Sequence, residues 1–264
     1  RGADGTITVS PQEGEWTPAS SITIAREGGW YGYGGPRPAP ERALGYDVPL
    51  CWIPRGVDNS TGGQAWVESE RWGPLKGQLL SFSFGQSSMM LVLREQVDGL
   101  WQGGVVPFRL TFASGAVRGR FSPADGQLYV VGTKGWVTNA VRDGCLQRVR
   151  HTGAPVVLPV AMKTAPGALK LTFSAPLERE TAESSDRWAA EMWNYVYAAA
   201  YGSKEYSVLQ PGVEGHDELE LSGAALSADG LTVTLKLPSL RPVMQLRLRY
   251  NLRSAAGAPV KGEL

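Results

Sequence analysis

Apolar residues fall in short runs of about four to eight positions, each bounded by Gly, Pro, Asn, Asp or Ser. In the first half the runs are Thr6–Val9, Ser21–Ala25, Leu50–Ile53, Gln64–Val67, Leu79–Phe84, Met89–Leu93, Val105–Phe112, Val117–Phe121, Leu128–Val131, Trp136–Ala140 and Leu146–His151. Gly85-Gln-Ser-Ser88, Pro123-Ala-Asp-Gly126 and Arg142-Asp-Gly144 separate neighbouring runs and read as hairpin turns. Beyond Thr152-Gly-Ala-Pro155 the alternation becomes stricter. In Gln245–Tyr250, Leu246, Leu248 and Tyr250 share one face while Gln245, Arg247 and Arg249 share the other. That is an antiparallel strand with one solvated face. Thr232–Leu237 alternates in the same way, and Glu178–Ser185 has the composition of one or two helical turns. Asp186–Tyr201 is ambiguous: its alanines, Glu191 and Met192 favour helix, whereas Trp193, Tyr195 and Tyr197 alternate and favour strand. A strand over 191–197 is the expectation there.

The tripeptide Gly-Gln-Leu opens an apolar run at 77–79 and again at 126–128, an offset of 49 residues. That offset suits a propeller blade of about 40–50 residues; chance repetition in a β-rich chain is the other reading. Three further segments carry a resemblance: Pro49–Arg55 with Asn59–Gln64, Gly99–Gly104, and Gly135-Trp136 with Arg142–Arg150. With Arg118-Gly-Arg120 and Ser122–Tyr129, they resemble the closing blades of glucose/sorbosone dehydrogenase-type propellers. They are still more similar to large secreted bacterial proteins of sorbosone dehydrogenase-like or haem-binding type. The resemblance covers most of the chain from about Gly29 onward. In the second part, Phe173–Leu177, Ala228–Leu235 and Leu240–Gln245, in that order, resemble the immunoglobulin-like modules of bacterial surface proteins. The expected fold is all-β, with partial β-propeller-like blades, about three, over 1–152 and an immunoglobulin-like β-sandwich over 153–264.

Composition narrows the function classes. Glycine and proline, 33 and 18 residues, suit many short strands. A net charge of +1 gives no argument for nucleic acid or an anionic membrane surface. No apolar run approaches the roughly 20 residues that span a bilayer. The chain starts at Arg1, as expected of a processed chain or the ordered part of a longer one. Cys51 and Cys145 suit either a disulfide in an exported protein or two free thiols. The family resemblance implies export, hence a periplasmic or extracellular location, with attachment to a membrane complex as an option.

The sequence contains no Cys-x-x-Cys-His, Gly-x-Ser-x-Gly, Walker loop or dinucleotide fingerprint. Its two histidines, His151 and His216, have no second histidine or cysteine at ligand spacing, so no metal is expected and Glu214–Asp217 reads as a solvated turn. The resemblance implies one chemistry: sugar oxidation by a pyrroloquinoline quinone (PQQ) whose carboxylates need Arg and Lys. Arg118 matches a cofactor arginine of the last blade. The position after it, typically Asp in those enzymes, is Gly119. Phe84-Gly85-Gln86 stands where they carry a lysine, and the blades that bear the base lie upstream of this chain. A structural role for Arg118 and Arg120 is the competing reading.

Aromatic residues offer a different role. Trp30, Tyr31 and Tyr33, and Trp193 with Tyr195, are candidates for a binding surface, because Tyr and Trp give rigid amphipathic contact area. Core packing is the alternative for each. The functional expectation is a non-catalytic binding or scaffold module, an extrinsic subunit whose partners are other proteins or the missing propeller blades, with carbohydrate as a further candidate. The alternative is the C-terminal part of a PQQ-dependent sugar dehydrogenase.

Overall fold

Asp98 and Gly99 both take left-handed backbone angles, φ 49° and 82°, and form the tight turn between β6 (Ser88–Val97) and β7 (Leu100–Pro107). Such turns match the twist of the strands they join, which is why Asp-Gly recurs at hairpins. The computed structural model describes residues 1–32, 34–39 and 45–264. They divide into two units. The first takes Arg1–Val92, Gln96–His151 and Tyr195–Lys204; the second takes Leu93–Glu95, Thr152–Asn194 and Glu205–Leu264. The fold is all-β, with blade-like antiparallel sheets in the first unit and a β-sandwich in the second.

The first unit holds three sheets. One joins β1 (Thr8–Val9), β2 (Ser20–Ile24) and β3 (Cys51–Ile53). The second is a four-stranded meander of β4 (Thr61–Trp66), β5 (Leu79–Ser83), β6 and β7. The third joins β8 (Gly115–Phe121), β9 (Leu128–Thr133) and β10 (Gly144–Val149) in the order β10-β9-β8. Ile22, Cys51 and Ile53 pack with Leu79, Met90, Val92 and Val105 in one core. Three sheets are fewer than the roughly four to eight blades that close a propeller.

Two runs differ from expectation here. The run expected over Gln64–Val67 is a strand that starts earlier, at Thr61, so Gly62-Gly63 belongs to β4, and the register slips between Thr61 and Gln64. The cause is β8 alongside: a Cβ on Gly62 would overlap the Ala116 carbonyl oxygen, so only glycine lets the two strands approach. Trp136–Ala140 is loop, tied by hydrogen bonds from Asn139 N to Gly85 O (2.8 Å) and from Asn59 Nδ2 to Val137 O (3.1 Å).

In the second unit, β11 (Pro159–Ala165), β12 (Ala168–Phe173), β16 (Thr232–Lys236) and β15 (Gly223–Leu226) form one sheet in that order. The other sheet runs β14 (Asp217–Leu219), β13 (Trp188–Trp193), β17 (Gln245–Arg253) and β18 (Pro259–Glu263). The two four-stranded sheets form a β-sandwich. Leu169, Leu171, Phe173, Val233 and Leu235 form the core with Trp188, Met192, Leu248, Tyr250, Leu252 and Val260. A short α-helix, α1 (Arg179–Glu183), and a 3-10 turn over Ser185–Arg187 link β12 towards β13. The ambiguous aromatic segment is a strand earlier than expected, ending at Trp193. Tyr195–Lys204 belongs to the first unit, where Tyr195 and Tyr197 pack on Trp52.

Candidate functional site

The residues expected to form an aromatic surface separate into core and loop ties. Trp193 is fully buried at 0% exposure, and its ring stacks on His216 at 4.0 Å. Tyr195 is buried at 6% and packs on Trp52. Neither is a binding surface; each ring lies where the strand or the segment after it turns its apolar side inward. Trp30 and Tyr31 are half-buried, and their polar atoms are used internally. Trp30 Nε1–H donates to the Gly35 carbonyl (3.0 Å) and the Tyr31 hydroxyl to the Ile24 carbonyl (3.0 Å). Asp47 ties this loop together, accepting from Trp30 N (2.7 Å), Arg37 (2.7 Å) and Arg26. Burial alone would raise its carboxyl; these donors, led by the Trp30 N–H, hold it below the usual range. Tyr33 lies outside the described residues.

His216 is not in a merely solvated turn. Its Nδ1 lies 3.2 Å from Glu191 Oε2 and its Nε2 2.6 Å from Glu205 Oε2, while Arg247 pairs with Glu191. Burial pushes Glu191 upward, but His216 and Arg247 outweigh it and hold the carboxyl below its ordinary value. The cluster clamps the 205–217 segment onto β13. Among the described residues, no group of three His, Cys, Asp or Glu side chains is placed to hold a metal ion.

Arg118 is exposed on β8. Its guanidinium donates to the adjacent Val117 carbonyl (3.0 Å), and it has no ion pair among the described residues. The quinone fit fails around it. A Cβ at Gly119 would overlap the Phe82 ring, so the acidic neighbour of the dehydrogenases has no room. Gln86, where they have lysine, instead joins a chain of neutral amides, donating to Asn59 Oδ1 (3.1 Å) and accepting from Asn139 Nδ2 (2.6 Å). Around Arg118, positions 119 and 86 thus carry neither the acid nor the lysine that the resemblance implies. Cys51 and Cys145 are free, and burial pushes the Cys51 thiol up to about 12.

Two features escaped the sequence reading. The first is Asp58, 1% exposed, in the loop before β4. Its Oδ1 accepts from the Ser83 hydroxyl (2.6 Å) and Ser60 N (3.0 Å), while Oδ2 is buried without a partner among the described residues. Burial raises this carboxyl to about 6 despite those two donors. The second is the outward face of the third sheet. Val131 pairs across to Leu146 on one side and Arg118 on the other, and Tyr129 pairs to Arg148 and Arg120. Val131 and Leu146 are 45% and 69% exposed, and the β9–β10 connection adds Trp136, Val137 and Val141 at 78%, 77% and 79%. That connection is firmly held: Val141 N and Arg142 N both donate to the Ala113 carbonyl at 2.9 Å. Val137 sits at φ 51°, a strained region for a β-branched residue. Basic residues surround these apolar ones, with Arg118, Arg120, Lys134, Arg142, Arg148 and Arg150 against Asp125 and Asp143.

Neither a protein-family model nor a curated protein sequence matches the chain. Among solved structures, it is similar to an oxidoreductase from Thermus thermophilus described as a glucose dehydrogenase. The identity is 21% and the TM-score 0.39, over 56% of this chain. The match spans 42% of that protein's length.

Proposed function

We propose that the chain is a binding or scaffold module that docks a protein partner and performs no chemistry of its own. One observation carries this reading. The third sheet presents exposed Val131 and Leu146, next to a rigid loop that holds Trp136, Val137 and Val141 outward. Its strand β10 is an edge strand. Scattered apolar side chains on a surface are ordinary, but several on one hairpin beside an open sheet edge mark an interaction site. The arginines around them favour a partner with an apolar centre and an acidic rim. An extracytoplasmic setting, as an extrinsic subunit of a larger assembly, is part of the same proposal.

The test is to express the tagged chain in its native host and to size the purified material. Wild type is expected to elute with a partner, and the double variant Val131→Asp/Leu146→Asp alone at 28.4 kDa. Elution of both as the free chain overturns the reading. The competing reading, the C-terminal part of a PQQ-dependent sugar dehydrogenase, is favoured by the unpaired guanidinium of Arg118 and opposed by Gly119 and Gln86. Dye reduction with an aldose after addition of PQQ to the native material decides for it.

A further inference from the structure

The second unit contains a groove of about 330 Å³ lined by Thr181, Arg187, Asn251, Leu252, Arg253, Pro259 and Lys261. Three of these side chains are cations, and no carboxylate lines the groove. Strand register explains how they meet. Asn251 on β17 pairs directly with Lys261 on β18, and Arg253 pairs with Pro259. Arg253 and Lys261 are therefore diagonal neighbours on one face, with Cβ atoms about 7–8 Å apart. On the other side of β17, Trp188 pairs with Tyr250. Arg187 ends the 3-10 turn Ser185–Arg187 just before Trp188 and lines the same groove as Asn251 and Lys261. Arg187 and Lys261 thus bring two long basic side chains to one groove beside the Asn251 amide. Buried Leu252 and Thr181 form the floor.

The charges are poorly compensated from within the protein. The nearest carboxylate to Arg187 is that of adjacent Asp186, at 3.9 Å, and its Oδ1 already accepts the Ser184 hydroxyl. Among the described residues, the Arg253 guanidinium donates only to the Gly257 carbonyl, at 3.4 Å. Lys261 has no ion pair among the described residues. Two other basic side chains of this unit, by contrast, sit in ion pairs with a carboxylate: Arg179 with Glu183, and Arg247 with Glu191. Three cations, an amide donor and a cavity at the small end of the roughly 300–1,000 Å³ range of small-molecule sites make a receptor for a compact anion. Guanidinium and ammonium together suit tetrahedral oxyanions, which take several charge-assisted hydrogen bonds at once.

We propose that this groove binds the phosphate or sulfate group of a small molecule. The site is independent of the face on the first unit. The experiment titrates the whole chain with inorganic phosphate, with sulfate, and with chloride at matched ionic strength. It follows backbone amide shifts by NMR and affinity by calorimetry. Saturable shifts at Asn251–Arg253 and Lys261 are expected with phosphate or sulfate and not with chloride. Which of the two oxyanions binds more tightly identifies the class of ligand. The double variant Arg187→Gln/Lys261→Gln, which alters only exposed side chains, is expected to weaken binding by at least about tenfold. Lys163→Gln/Lys170→Gln removes the same charge from the opposite sheet and leaves binding unchanged. Shifts with phosphate and sulfate no larger than those with chloride overturn the proposal. So does equal weakening by the two double variants. The wild-type shift map keeps the test decisive even if a variant fails to fold.

Discussion

Replacing Asp58 by Asn tests the electrostatic account of the first unit most sharply. Asp58 is nine-tenths or more buried; its carboxyl is raised from 3.8 to about 6, because burial outweighs the hydrogen bonds from Ser83 and Ser60. A rise of about two units is worth about 3 kcal/mol at 1.36 kcal/mol per unit. The folded state binds this proton more tightly than the unfolded chain does. Its contribution to stability is therefore fully present below about pH 3.8 and lost as the pH rises through about 6. Asparagine keeps an oxygen for Ser83 and Ser60 but cannot ionise. The variant is expected to match wild type near pH 4 and to exceed it by about 2–3 kcal/mol near pH 8. Equilibrium urea unfolding followed by tryptophan fluorescence across that range measures the difference. A difference that stays flat with pH, or a variant less stable near pH 8, refutes the reasoning. Asp58→Ala is not equivalent, because it leaves the Ser83 hydroxyl and Ser60 N–H buried without an acceptor, at a cost of about 1–3 kcal/mol.

Two further outcomes follow from other parts of the molecule. Gly119→Ala is expected to lower stability by about 1–3 kcal/mol through overpacking against the Phe82 ring, read as a reduced urea midpoint; an unchanged midpoint would show that the ring has room to move. Glu191 is held below its ordinary value of 4.5, so its contribution is present above that pH and is lost as the pH falls through its lower folded value. Glu191→Gln is therefore expected to flatten the acid limb of stability below about pH 4.5, and an unaltered limb in urea unfolding at acid pH counts against the clamp.

The sequence shows strands wherever one face is buried and the other solvated, as in β12, β16 and β17, because period-two patterning is a local signal. It also shows the Asp-Gly turns. It misses what depends on a distant neighbour. Gly62-Gly63 looks like a turn in isolation and is a strand because β8 comes up against it. Trp136–Ala140 has the composition of a strand and is a loop, held by Gly85 and Asn59 from another sheet. Trp193 and Tyr195 read as surface or core from the sequence, and only their packing, on His216 and on Trp52, decides. Asp58 looks like one more polar turn residue until Ser83 is found beside it. Arg187, Arg253 and Lys261 carry no shared motif; the β17-β18 register and the 3-10 turn before β13 gather them. Arg118 stood out in the sequence as a match to a cofactor arginine with a structural role as the competing reading, while its missing ion pair and the lack of room at Gly119 beside the Phe82 ring needed the structure.

The central claim is that the outward face of the third sheet is a docking surface. Photo-crosslinking from position 146 in native host cells, with position 170 on the second unit as a control, tests it most directly. The account predicts crosslinks from position 146 to one defined partner surface with acidic residues, and their loss in a Val131→Asp background. Crosslinks no more frequent or specific than those from position 170 would contradict it.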